Sequence, residues 1–117
     1  MLHKRSFSKP DETRRPSERT KVDVVKMGNF TVARQTFEPG WKWSEDVKPK
    51  VVTENCEVHH LIYIVSGEMK VVMLDGTEAT FSTGQVGNIP PGHDAWVVGD
   101  EPVVLIDFSG GATYAKE

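Results

Sequence analysis

Turn-forming residues recur so often along this chain that they constrain its fold more than any other feature. They fall at Gly28-Asn29, Pro39-Gly40, Ser66-Gly67, Asp75-Gly76, Thr83-Gly84, Pro90-Pro91-Gly92 and Gly99-Asp100. Between them lie short runs rich in β-branched and aromatic residues, among them VDVV, FTVARQTF, MKVVML, TEATF, QVGNI, AWVV and VVLIDF. This rhythm predicts about seven to nine short strands and no helix, hence an all-β sandwich or barrel. At 117 residues there is room for one domain with one core. The stretch WKWSEDVKPK reads as a loop with an irregular strand at its start, because Pro49 does not suit a central strand.

One predicted strand organises the rest: Glu54 to Val65, ENCEVHHLIYIV, closed by Ser66-Gly67. Side chains two apart share a face of a strand, so Glu54, Cys56, Val58, His60, Ile62 and Ile64 point one way. Leu61, Tyr63 and Val65 point the other, and with Met69, Val71 and Met73 opposing Val72 and Leu74 they leave several strands apolar on both faces. One face can fill a barrel. The other asks for a second sheet or a second subunit, so a homodimer is expected.

The ends differ from the middle. Residues 1–20, with Pro10 and Pro16 among charges and hydroxyls, bury too little apolar area to offset the entropy of ordering and are expected to form a flexible basic arm, or else an edge strand that orders on a partner subunit. The barrel is expected over 21–112, with 113–117 as a loose tail. Residues 1–21 hold seven Lys and Arg against three Asp and Glu, on a chain of net charge -3. The body lacks a basic stripe that could track phosphates, so nucleic acid is not an expected partner. No apolar run reaches the ~20 residues a bilayer helix needs, and the N-terminus lacks the apolar middle of a secretory signal. With one cysteine there is no internal disulfide. Together these features predict a cytoplasmic protein with no membrane partner.

At the organising strand and the Pro-Pro-Gly corner the sequence resembles the cupin superfamily of small jelly-roll barrels. That family's first motif is G-x5-H-x-H-x3,4-E-x6-G and its second is G-x5-P-x-G-x2-H-x3-N. Anchored on Gly67, the first motif puts His60 at the family's Glu, Cys56 at its second His and Glu54 at its first; its opening Gly falls on Lys48. The second begins well, with Gly84, five residues, then Pro90-Pro91-Gly92. Its ligand His falls on Ala95, with His93 two residues earlier, and Gly99 stands for the terminal Asn. The resemblance spans about residues 22 to 110 and implies a single-domain jelly-roll β-barrel. All four usual metal positions have changed.

Residues 93 and 95 share a strand face, so His93 can enter the barrel one pleat early. Cys56, His60, His93 and Glu54 would then form a mixed sulfur, nitrogen and oxygen set suited to one divalent transition metal, Zn, Ni, Fe or Cu. A metal-free site is equally consistent with these residues: Cys56 as a small buried hydrophobe, His60 bonded to a carboxylate such as Glu54, His93 exposed at its corner. A Cys56–His60 nucleophile pair is the weaker reading, since ~13 Å of strand rise separates the two unless a bulge intervenes. Asp94 and Asp107 need partners if buried. Trp41, Trp43 and Trp96 are candidate aromatics at a cavity mouth.

Three functions follow. The first is a barrel binding a small polar or aromatic molecule among Trp43, Glu54, Cys56, His60 and His93. The second is a metal-dependent isomerase or dioxygenase of the kind the resemblance implies, using Cys56, His60 and His93. The third is a dimeric scaffold with the arm as its contact element.

Overall fold

The structure is a computed structural model that describes residues 2–50, 56 and 58–109. Glu54, offered above as a ligand, and the tail 113–117 lie outside the described residues. The strands are β1 Glu12–Ser17, β2 Thr20–Met27, β3 Phe30–Phe37, β4 His60–Ser66, β5 Glu68–Met73, β6 Glu78–Ser82, β7 Val86–Ile89, β8 His93–Val97 and β9 Val103–Asp107. They form two antiparallel sheets, one ordered β1-β2-β3-β9-β4-β7 and one β6-β5-β8. This is the all-β architecture that the turn spacing predicts and the jelly-roll arrangement that the resemblance implies.

Alternation along the strands places the core between the sheets. In β9, Val103, Leu105 and Asp107 are buried while Val104 and Ile106 are only partly so. Ile62 and Ile64 of β4, Phe37 of β3, Met69 and Val71 of β5, Ile89 of β7 and Ala95 of β8 complete the packed centre. The second face of β4 is left open within this chain: Leu61, Tyr63 and Val65 are 41%, 42% and 44% exposed. No helix among the described residues is long and apolar enough to cross a membrane.

Two expectations are corrected. Residues 12–17 are not a detached arm but an edge strand on β2 of the same chain, with Arg14 opposite Val22 and Glu12 opposite Val24. The strand has no apolar face of its own to announce it. It is held by backbone pairing and by polar contacts, Thr13 Oγ1 donating to Asp23 at 2.9 Å while Arg34 reaches the other Asp23 oxygen at 3.1 Å. Pro16 is tolerated because the register slips between Arg14 and Ser17 at this edge.

The second correction is a short helix, α1 Trp43–Asp46, followed by a 3-10 turn at Lys48–Lys50. Only Lys42 makes the irregular bridge expected there, to Trp96. Asp46 explains why so short a helix forms. Its carboxylate accepts the Lys42 N–H at 3.0 Å, the Ser17 hydroxyl at 2.8 Å and Arg19 Nε at 3.0 Å, so a buried charge is fully engaged. Burial pushes the Asp46 carboxyl up, but the Lys42, Arg19 and Ser17 donors outweigh it and hold its pKa below the ordinary value. From the other side Asp94 accepts the Ser44 N–H at 3.1 Å.

Candidate metal centre

The organising strand is shorter than its sequence suggests, and this shortening builds the site. Regular pairing in β4 begins at His60, opposite Ile89 of β7 in the larger sheet. Cys56 instead bridges His93, at the start of β8 in the smaller sheet. Cys56 N–H donates to the His93 carbonyl at 2.8 Å and Gly92 N–H donates to the Cys56 carbonyl at 2.7 Å. The chain therefore changes sheets between residues 56 and 60. Two residues that a straight strand would hold ~13 Å apart face each other across the core.

Cys56 Sγ lies 3.6 Å from His60 Nε2, so the separation expected of a continuous strand is overturned. Cys56, His60 and His93 are all buried, and one donor atom from each lies within 4.8 Å of the other two. Zinc-type bonds of ~2.3 Å to sulfur and ~2.0–2.1 Å to nitrogen, at a tetrahedral angle, put such donors about 3.6 Å apart. The Cys56–His60 spacing already matches.

Each imidazole is oriented from behind. His60 Nδ1 bonds Asp107 Oδ2, and Asp107, 0% exposed, also accepts Gln35 Nε2 at 3.2 Å and the Ser109 N–H at 3.0 Å. A ligating histidine backed by a carboxylate is the arrangement that fixes ring orientation and raises basicity at metal sites. His93 Nδ1 donates to the Pro90 carbonyl at 2.7 Å, which leaves its Nε2 for the centre. The two rings stand 5.4 Å apart, edge to face. The rigid Pro90-Pro91-Gly92 corner thus aims the ring.

Burial pushes the His93 pKa down to about 4, with the His60 ring adding to the effect and the Pro90 carbonyl and Asp94 opposing it. A neutral imidazole is the form a metal needs. It also sets a pH dependence. Between His93's lowered value of about 4 and its ordinary value of 6.5, the unfolded chain binds the proton that the folded chain refuses. This contribution is therefore complete above about pH 6.5 and lost as pH falls toward 4, on the order of 3 kcal/mol in all. Chemical denaturation of metal-free protein at pH 7, 5.5 and 4 checks it; His93→Gln should flatten the slope, and an unaltered slope would count against this account.

Trp43 is placed differently from its expectation. It is buried in the wall of the cavity and not at its mouth. Trp41 lies beside it, stacked on Phe37 at 3.9 Å, while Trp96 faces outward under Lys42 and Lys70. The cavity between the sheets has a volume of ≈ 30 Å³ for a water-sized sphere, and the lining residues with side-chain nitrogen or oxygen are Gln35, Trp41, Trp43, His60 and His93. Ala95, where the cupin motif has a ligand histidine, lines it too. Sequence reasoning gave no role to Gln35, asked only that Asp107 find a partner if buried, and placed Trp41 among the candidate aromatics of a cavity mouth. A signal for Asp107 was present: it shares the inward face of β9 with Val103 and Leu105, where a carboxylate must find partners.

No protein-family model matches the sequence, and no curated protein matches it either. Solved structures do. Lactobacillus farciminis oxalate decarboxylase in its formate complex is 22% identical with a TM-score of 0.62, over 88% of this chain and 32% of that one. A cupin-like protein from Thermotoga maritima is 19% identical with a TM-score of 0.55, over 79% of this chain and 68% of that one. A Rhizobium leguminosarum protein of unknown function is 17% identical with a TM-score of 0.62, over 93% and 98% of the two chains. The chain spans about a third of the length of the decarboxylase. Two antiparallel sheets closing on a histidine-bearing strand and a Pro-Gly corner, in the shape these structures share, give this chain the cupin fold.

Proposed function

We propose that this protein is a metal-binding cupin in which Cys56, His60 and His93 hold one divalent transition metal, with a small molecule taken up at the position they leave open. The observation that carries the reading is the convergence of three buried donors within 4.8 Å, with both rings aimed by hydrogen bonds on their far nitrogens. Among the described residues three ligands converge, and a three-ligand set suits a site that binds or acts on a ligand, whereas purely structural zinc sites are closed by four. A solved relative of the fold, Bacillus subtilis oxalate decarboxylase, is described with Mn(II) centres. Here the donor set favours a different metal. Thiolate with two imidazoles suits Zn, Fe(II), Ni or Cu, whereas Mn prefers oxygen ligands.

When bound, such a metal supplies Lewis-acid polarisation of a ligand oxygen. The chain's own residues do the rest. Asp107 and the Pro90 carbonyl hold the imidazoles in place, while Phe37, Trp43, Ile62 and Leu105 keep the surroundings apolar. The same open position supports a second reading, an isomerase or dioxygenase working on the bound molecule.

Equilibrium dialysis of tag-free protein against zinc, followed by elemental analysis, should give about one equivalent per chain. Asp107→Asn should keep the shape of the site but weaken zinc binding about 10–100-fold, since it removes the charge behind His60. Wild-type protein holding well under one equivalent at saturating zinc would end the metal reading. Equal affinity in Asp107→Asn would remove the role given to Asp107.

A further inference from the structure

A residue lining the cavity beside the metal donors carries a fully buried polar atom without a partner. Trp41 is 2% exposed, and its indole Nε1 has no hydrogen-bond partner among the described residues. His60, His93 and Gln35 of the lining are engaged: His60 with Asp107 and Cys56, His93 with Pro90, and Gln35 with Asp107. A buried donor without an acceptor is costly and uncommon. An indole N–H can only donate, so whatever completes it must accept.

Size and charge narrow the choice. A water-sized sphere occupies ~10–15 Å³, so the ≈ 30 Å³ cavity has room for about two or three non-hydrogen atoms. A divalent metal on one thiolate and two neutral imidazoles keeps one positive charge, and the nearby carboxylate of Asp107 is turned to His60, Gln35 and Ser109. Access does not need a large opening. Val71 and Ile89, which wall the cavity, also line a wider cleft of ≈ 350 Å³ with Met73, Phe81 and Pro90, so one layer of side chains separates the two spaces.

We infer that the cavity takes a small anion of about three heavy atoms, held between the Cys56, His60 and His93 centre and the indole N–H of Trp41. The inference rests on the metal reading above and specifies its ligand. Trp41 acts as a specificity residue, since its N–H rewards an acceptor atom on the bound molecule. A neutral apolar ligand of the same size would leave the N–H unmatched and should bind poorly.

Zinc-loaded wild-type and Trp41→Phe proteins titrated with azide by calorimetry provide the test, with propionate as the oversized anion and elemental analysis on every sample. Phenylalanine keeps an aromatic ring against Phe37 and removes the donor. Azide should bind the wild type, propionate at least about tenfold more weakly, and Trp41→Phe should lose at least about tenfold in azide affinity with zinc content unchanged and the fold retained at a lower thermal midpoint. Equal azide affinity in both proteins, with zinc retained, would mean that Trp41 serves only a trapped water and would overturn the inference while sparing the metal centre. Should Trp41→Phe fail to fold, the wild type decides alone: azide and propionate binding equally would overturn the size limit. Wild type without zinc would overturn both readings.

Discussion

Cys56→Ala is expected to abolish stoichiometric metal binding while leaving the barrel folded. Cys56 brings the one sulfur and the one anionic donor to the cluster; His60 and His93 contribute neutral nitrogens. Zinc bound by four ligands in small domains is worth roughly 10–16 kcal/mol, or about 3 kcal/mol per ligand, so losing the thiolate should weaken binding by about a hundredfold or more. The fold should tolerate the change. Cys56 is a small buried side chain, and its cross-sheet attachment to His93 and Gly92 runs through backbone hydrogen bonds that alanine keeps. Zinc competition against a coloured chelator reads the affinity. Cobalt substitution reads the sulfur, because a thiolate-to-cobalt charge-transfer band should appear in the wild type and vanish in Cys56→Ala. A variant that keeps full zinc affinity would show that the metal, if any, sits elsewhere.

Gly67→Ala should do the opposite, damaging the fold before the site. Gly67 has φ +85°, and a Cβ built there would lie 2.3 Å from the Pro102 carbonyl oxygen and 2.8 Å from Val103 Cα. Both are backbone atoms at the entry to β9, the strand between β3 and β4 in the larger sheet. They cannot swing aside as a side-chain tip could. The positive φ alone costs about 1–2 kcal/mol, and displacing the start of a central strand should bring the total to about 3 kcal/mol or more. Gly76→Ala is the matched control: φ is +89° there too, but no atom lies within 4 Å of the built Cβ, so only the conformational cost applies. Urea denaturation of the two variants separates the effects. Equal destabilisation would show that the close approach at Pro102 carries no weight.

The residues that are legible in the sequence are those whose chemistry is local. Phe30–Phe37 is a strand over the length that FTVARQTF suggests, and the Gly-Asn turn before it pairs Met27 with Phe30. His93 enters the cavity one pleat before Ala95, as the two-residue period requires. What could not be read is how distant segments meet. The same period holds whether a chain runs straight or passes to the opposite sheet, so nothing in ENCEVHH signals the crossing that brings Cys56 to His60. The strand Glu12–Ser17 escaped because its alternation is written in charges, Arg14 pairing with its neighbour Glu12 at 2.7 Å, and not in apolar residues. Trp41 could be read as an aromatic wall. That its N–H would be left without an acceptor depends on everything packed around it.

The Asp46 carboxylate reaches in two directions, to Ser17 and Arg19 at the β1–β2 turn and to the backbone of the helix that begins at Trp43. Trimming the chain start for expression, or fusing a rigid tag close to residue 12, would therefore pull on the aromatic side of the ligand chamber. Preparations that differ only in their leader sequence could then disagree about small-anion uptake while holding the same amount of metal.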